Sequence, residues 1–547
     1  MSRTAYSAGE LTNLRSRPHS FPLYLAVHKP RTIYTALVSS IPVWPTDGTG
    51  VGEIGFNTGS GTIAEVLAGM HLILGTSSGG RERDWRGLRI RKAVSGTPFK
   101  VSAYAQGQFS IAASDYLTVL EDFRLWPKRH RYAPSVSGAT GAGGWVMDFE
   151  ENYAAATLNN VSYGPQAVLG CAAIKYAAGS QTFNFDGTRS IAHTAATSIS
   201  SYLWTFPDGT TSASSTPTWA TSTAYPDGRW VSLRVTDSAG LTHTGRRLLW
   251  KFDSSNKPYT AFVTDGMDVE WGGGASCEVR VRGAALTTDF PPGAHVALFT
   301  ASKYGATTVD IGGNFPNREN VVLEGWIREG TIHQEPESGD VTFTIATAHD
   351  ELQRLFTFPV DLTHTAGTPA DWLTMKNLTL DRAALFICRW QSTILDVVDV
   401  TFVGNTAAAT NTKKYQSLPA MQNLWSLLSE NYAWLPGGTV SCDSQSGIYF
   451  EQDSIVAGNT SSQTSMFTLG DADRRGLVEV EERDFNPNAQ MTLYGVDSST
   501  GSDIPIGSRA GDDPAAYAET LDEIPAGLMM TQAQANTWAG NLRAQRN

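Results

Sequence analysis

Apolar residues recur in short runs along this chain, and two rhythms dominate. In YLWTFPDG (Tyr202–Gly209) the rings of Tyr202, Trp204 and Phe206 fall on every second residue, then stop at Pro207, Asp208 and Gly209. A period of two puts the three rings on one face of a strand, and the three residues after it favour a turn. WVSLRVTDSAG (230–240) repeats the rhythm, with Val231, Leu233 and Val235 on one side and Ser232, Arg234 and Thr236 on the other. Two strands with one oily face each, joined by a Ser/Thr-rich connection, predict a small two-sheet sandwich. Other short runs are mostly apolar, FPLYLAV (21–27), TIYTALV (32–38) and HLILG (71–75), or mix apolar with charged positions, LRIRK (88–92) and LTVLEDFRLW (117–126). Strands of this length and spacing suit a first barrel or sandwich.

Helical periodicity is scarce. SLPAMQNLWSLLSENYAW (417–434) aligns Leu418, Met421, Leu424, Trp425 and Leu428 on one stripe and ends at Pro436-Gly437-Gly438. TQAQANTWAGNLRAQRN (531–547) reads as a second helix with little to bury except Trp538 and Leu542. The expected fold is mainly β: two small barrel-like domains, an immunoglobulin-like sandwich inserted between them, and a C-terminal α+β region. The segments are 1–133 (first barrel), 134–165 (linker, holding PSVSGATGAGG), 166–252 (sandwich), 253–360 (second barrel) and 361–547 (α+β region). A faint restart supports two related barrels. Lys29-Pro30 precedes the strand that ends Ala36-Leu37-Val38, and Lys257-Pro258 precedes Ala261-Phe262-Val263. GMHLILGTSSGG (69–80) likewise has a counterpart in GAHVALFTASKYG (293–305).

Composition narrows the function. A chain of 547 residues exceeds the roughly 250–300 that one core supports. Its 41% apolar and 17% charged content fits a folded protein. The net charge of −12 argues against a surface built chiefly to grip nucleic acid. Cys171, Cys277, Cys388 and Cys442 lie far apart without a Cys-x-x-Cys pair, as free thiols do. The first residues lack the apolar core of a signal peptide, and no segment is long and apolar enough to span a bilayer, so assembly inside a cell is expected.

Several motifs invite a chemical reading. Gly75-Thr76-Ser77-Ser78-Gly79 matches Gly-x-Ser-x-Gly, but a nucleophile elbow needs a helix after it, and RERDWRGLRIRK is too charged and Gly-broken for one; a hairpin loop fits better. Asp148/Glu150/Glu151 and Glu479/Glu481/Glu482/Asp484 could be carboxylate pairs, yet the alternation in LVEVEERD sends Glu479 and Glu481 along a solvated strand edge. Asp208, Asp227 and Asp237 could surround a calcium ion at a sandwich tip, although turn-forming roles explain them more simply. The basic stretch Arg81–Lys92 and the cluster Arg124, Lys128, Arg129 and Arg131 offer a docking surface for an acidic neighbour or for passing DNA phosphate, against the reading of charged strand faces. GATGAGG (138–144) lacks the Lys of a phosphate cradle. No histidine spacing suits a metal. No residue is therefore given a catalytic, cofactor or metal role, no cofactor is expected, and the chain reads as a non-enzyme.

Two families share these patterns. Phe185-Asp186-Gly187, Tyr202/Trp204/Phe206/Asp208/Gly209, Tyr225, and Val231/Leu233/Val235 leading to Thr236-Asp237 and Gly240 resemble the PKD (polycystic kidney disease) repeat, an immunoglobulin-like adhesive spacer; Pro207 stands where that family usually has Gly. Pro291-Pro292-Gly293-Ala294-His295-Val296-Ala297-Leu298, Val322-Leu323-Glu324-Gly325-Trp326-Ile327 and VTFTIATAHDELQRL (341–355) resemble bacteriophage tail-hub proteins, including the baseplate hub of contractile tails. The His-Lys-Pro strand, the Gly-Met-x-x-x-x-Gly-Thr turn and the Arg-Ile-Arg strand are similar to tail proteins that carry PKD modules. That resemblance implies continuation into a helix such as 417–434 and a late β-region at 473–495. It also implies a virion tail component that joins tube to distal parts, with self-association as a trimer or hexamer. Tube, tape-measure, tail-tip or fibre proteins would be its partners, and DNA would meet it in transit. The PKD-like module would face outward, removable without loss of assembly, and would touch a host-surface glycan. The alternative is a carbohydrate-active or proteolytic enzyme with an accessory PKD module; a purely adhesive surface protein is a third reading.

Overall fold

Runs that are apolar on every residue become strands covered on both faces, and strictly alternating runs become strands with one face in a core. The computed structural model describes residues 23–43, 51–80 (all but 58, 68 and 79), 90–93, 99–102, 114–123, 131–133, 144–146, 165–192 (all but 171, 172 and 177), 197–270, 274–282, 287–300, 309–311, 321–354, 385, 388, 394–403, 414–415, 423–433, 438–452, 488–497, 503–510, 518–523, 528–530, 533 and 536. The architecture is mainly β, as the patterning predicts.

One closed barrel has antiparallel pairing all the way round. Taken in chain order from residue 259, its strands are Tyr259–Glu270, Gly274–Val281, His295–Thr300, Val321–Ile327 and Val341–Ala346. The first pairs with the second, the second with the fifth, the fifth with the fourth, and the fourth with the third. The ring is completed by Leu23–Val27, which lies between the third strand and the first. Leu23–Val27, part of a segment assigned by sequence to the first barrel, therefore belongs to the second. Pairing is decided by which edge is free, and nothing local in FPLYLAV distinguishes the two barrels. Leu25, Val27, Val279, Val281, Val296, Leu298, Leu323, Ile327, Phe343 and Ile345 fill the interior. Gly325 is required there, because a Cβ would stand 2.1 Å from the carbonyl oxygen of Ala346 on the neighbouring strand.

The other barrel repeats this connectivity. Its six strands in chain order are Thr32–Val43, Val51–Phe56, His71–Gly75, Ile90–Ala93, Phe99–Ser102 and Tyr116–Leu120. The pairing again runs first to second, second to fifth and fifth to fourth. Two backbone bonds, Gly69 N–H to Ile90 O (2.7 Å) and Ile90 N–H to Met70 O (2.9 Å), link the fourth to the start of the third. The third pairs with the sixth, and the sixth with the first. The sixth place in the ring is filled from the C-terminal side in this barrel and from the N-terminal side in the other. His71 and His295 are each the first residue of a third strand.

The sandwich has one large sheet in the order Thr211–Ser212, Ile199–Thr205, Tyr225–Asp237, Thr242–Phe252, Ala173–Tyr176 and Val309–Ile311; a two-stranded sheet of Gln181–Asn184 and Thr218–Thr221 accompanies it. Trp204 and Phe206 enter the core with Phe183, Phe185, Trp219, Leu233 and Val235, while Tyr202 lies at its margin. Gly187 leaves room for them, since a Cβ there would meet Leu233 at 2.9 Å and Trp204 at 3.1 Å. The chain turns after Phe206 with Gly209 at φ 82°.

Two features tie the sandwich to the rest of the chain. Val309–Ile311, part of the excursion between two barrel strands, pairs with Ala173–Tyr176 and extends the sandwich sheet. Trp250, Lys251 and Phe252 at the end of the long sandwich strand are buried. An apolar strand end of this kind cannot be left in water, so the sandwich is packed into the rest of the chain.

In the C-terminal region, Val400–Val403 runs parallel to Ile448–Gln452, which pairs with Gly438–Cys442. The predicted helix spans Leu424–Ala433, capped where Asn423 Oδ1 accepts the Ser426 N–H at 2.7 Å. Leu424 and Leu428 are buried as predicted and Leu427 joins them; Trp425 sits half-buried, edge-on to His349 with ring centroids 4.4 Å apart. Leu418 and Met421 lie outside the described residues. A second sheet gathers Lys414–Tyr415, Leu528–Met530, Asn488–Asp497, Asp503–Ala510 and Ala518–Glu523. The late β-region is thus represented by 488–497, with 473–487 outside the described residues. Ala533 and Asn536 are helical; the remainder of the predicted tail helix is outside them.

Candidate functional site

The Glu-Gly-Trp step of Val321–Ile327 turns its polar and aromatic side chains away from the barrel interior, because Leu323 and Ile327 occupy the inward positions. Across the pair of strands, Glu324 Oε1 lies 2.8 Å from His295 Nε2, and Trp326 packs on the His295 ring at 5.0 Å. The sandwich supplies the opposite wall. Trp250 meets the His295 ring at 6.4 Å, and Trp230 meets it at 6.3 Å. Trp230 also stands edge-on to His28 (5.3 Å) and to Phe123 of the other barrel (5.4 Å). The Arg246 guanidinium covers Phe123 at 4.1 Å. One indole thus touches groups from both barrels. His295 and Glu324 are 3% and 2% exposed. So closed a pair is out of reach of solution; it packs the barrel wall against the sandwich.

A third wall comes from the C-terminal region. Asp443 Oδ1 accepts the N–H groups of Gln445 and Gly447 and so shapes a tight turn. Within it Ser446 adopts φ 60°, a conformation that a non-glycine residue holds only when its surroundings demand it. Its hydroxyl donates to Glu324 O (2.6 Å) and accepts the Ala348 N–H (3.1 Å), and Ser444 O accepts the Glu324 N–H (2.8 Å). On the far side of the sandwich, Arg247 and Asp399 form a buried ion pair at 2.5 Å, and Leu169 N–H donates to the same carboxylate oxygen. His243 Nδ1 accepts the Ala167 N–H, which leaves Nε2 to donate to Asp396 at 3.1 Å. Lys29 links the barrel rim, donating to Tyr259 Oη (2.8 Å) and Asp289 (2.7 Å). Burial alone would lower its ammonium pKa, yet these two partners carry it above the ordinary value.

The residues singled out by sequence do not converge here. Ser77 is exposed in the turn after His71–Gly75, and the histidine on that strand, His71, is buried at its opposite end. Residues 81–89, including the basic stretch's first arginines, lie outside the described residues, as do Asp148, Glu150, Glu151, Arg124, Lys128, Arg129, Glu479, Glu481, Glu482 and Asp484. Asp208 accepts from the Thr210 N–H and hydroxyl and from the Trp219 indole. Asp237 accepts from the N–H groups of Ala239 and Leu241. These are turn-forming roles. Asp237 pairs with Ile199 at one end of a strand and Asp208 follows the other end, a separation of roughly 20 Å at about 3.3 Å per residue. Asp227 gives its carbonyl to the Lys29 N–H. The three aspartates therefore do not surround one ion. Among the described residues no three His, Cys, Asp or Glu side chains are placed to share a metal. Sequence reading passed over His28, His295, Trp230 and Trp250; the signal was the matched Gly-x-His-apolar step at 69–72 and 293–296.

No protein-family model matches the chain, and no curated protein does. Among solved structures, the chain is similar to a PKD domain of a Vibrio cholerae metalloprotease, at 26% identity over 15% of this chain and 98% of that domain, with a TM-score of 0.12. It is similar to a tail protein from Neisseria meningitidis, at 10% identity over 52% of this chain and 76% of that one, with a TM-score of 0.29. It is also similar to a 43 kDa tail protein of a Shewanella oneidensis prophage, at 12% identity over 52% and 74%, with a TM-score of 0.26. Among the described residues no helix is long and apolar enough to cross a membrane.

Proposed function

We propose that this chain is a structural component of a phage or phage-like tail, placed at the tip or baseplate hub, where it joins the tail tube to distal parts. The observation that carries the reading is the pair of barrels with one ring order in a single polypeptide. A ring of three such chains presents six similar lobes, which is what a threefold tip needs to meet a sixfold tube. The sequence resemblance to tail-hub proteins points the same way. Tube, tape-measure, tail-tip or fibre proteins are the partners this role requires, with assembly in the host cytoplasm and DNA passing only in transit. The exposed Ser/Thr residues of 210–216 give the sandwich a hydroxyl-rich surface for weak contacts with host glycans, which several copies in one particle would strengthen. The mass of the purified assembly, with a low-resolution image, tests the reading. A threefold ring of six lobes is expected; a monomer that hydrolyses a glycan or peptide overturns it.

A further inference from the structure

Strand Leu23–Val27 enters its barrel from far along the chain, and its outward side has a striped partner in the sandwich. Tyr24 meets Tyr176 edge-on at 6.0 Å and lies 5.8 Å from Phe299 of the adjacent barrel strand. Phe299 in turn stacks on Phe252 at 6.1 Å. The Trp250 Nε1–H donates to Val27 O at 3.4 Å, His28 packs on Trp230, and the Lys29 N–H donates to Asp227 O at 2.9 Å. Tyr24 and His28, and two backbone groups where the chain leaves the strand, are thus held by sandwich residues. Gly228 is shaped for this contact: it has φ 74°, and a Cβ there would stand 2.7 Å from Trp250 Nε1.

We propose that the sandwich is a clamp that retains the N-terminal strand in the second barrel, with Trp250 and Trp230 as its jaws. Pairing alone holds this strand weakly at one margin, since its register with Tyr259–Glu270 covers just Leu23 to Leu25. The clamp supplies burial where hydrogen bonds run out. Loss of the strand would leave the edges of His295–Thr300 and Tyr259–Glu270 unpaired, the condition that invites strand exchange with another chain. The proposal concerns the internal mechanics of the chain and stands apart from where the chain sits in a particle.

Hydrogen exchange of the full chain, read peptide by peptide, tests it with Trp250→Ala and the milder Trp250→Phe, which keeps a ring but removes the N–H. In Trp250→Ala, or in Trp250→Phe should the first not fold, exchange is expected to rise by about tenfold or more at 23–27 and 295–300, with 199–205 in the sandwich core as protected as before. Unchanged exchange at 23–27, or a rise at 199–205 of equal size, overturns the clamp.

Discussion

Single residues in this chain mostly serve geometry. Asp208 shows how. Burial on its own would raise its pKa, but the Thr210 hydroxyl and N–H, the Trp219 indole and its own turn hold it below the ordinary carboxylate range. Because the folded value is the lower one, the charged carboxylate adds stability above the ordinary range, and that contribution is lost as pH falls through the folded value. Asp208→Asn keeps an acceptor for Thr210 and removes the titration. Its sandwich is expected to show a shallower loss of thermal stability than the parent between about pH 4 and pH 2. Equal slopes in the two proteins would show that Asp208 does not matter there. At the same scale, burial pushes the Cys277 thiol up to about 12. Its place among the valines of the barrel interior accounts for that.

At the level of elements, local chemistry explains starts and stops, while partners explain burial. The helix Leu424–Ala433 begins where Asn423 caps it. Asn423→Ala is expected to cost about 0.5–2 kcal/mol in a denaturant titration, with serine restoring most of it. The strand ends at the Pro207-Asp208-Gly209 turn and the bend at Gly293 (φ 70°) were legible in the sequence because they depend on backbone torsions of two or three residues. Glu324 was not. A glutamate in an apolar strand reads as an edge or surface residue until its partner His295, from a different strand, is in view. Trp230 and Trp250 raised the same difficulty. Alternation places them on faces of a strand, but which face meets another domain depends on contacts from distant parts of the chain.

Across the whole molecule, the seams carry charges that a free sandwich would expose. Arg247 and Asp399 are 5% and 3% exposed and join the sandwich to the C-terminal region. Removing one partner strands the other: Asp399→Ala should destabilise the chain by about 3–5 kcal/mol, whereas Arg247→Met with Asp399→Leu should recover most of that loss. Unfolding by chemical denaturant reads both, and an equal loss in the paired variant would show that the seam needs charge rather than packing. Such seams also bear on the PKD-like module, since cutting out 166–252 would uncover Tyr24, His28 and Phe299 on the barrel and Asp396 and Asp399 on the C-terminal side.

Patterning by itself determined that the chain is mainly β, predicted a sandwich around 202–240 with Tyr202, Trp204 and Phe206 on one inner face, of which Trp204 and Phe206 enter the core, and placed a helix over 417–434, of which Leu424–Ala433 is seen. Those outcomes follow from side-chain period and backbone torsion, which are properties of neighbours in sequence. The tertiary structure alone decided that Leu23–Val27 closes the second barrel and not the first, that both barrels share one ring order, and that His295, Glu324, Trp230 and Trp250 meet. Strand pairing and burial between domains are contests among all free edges and faces of the chain, and the winner is set by complementary shape across distances that no local pattern records.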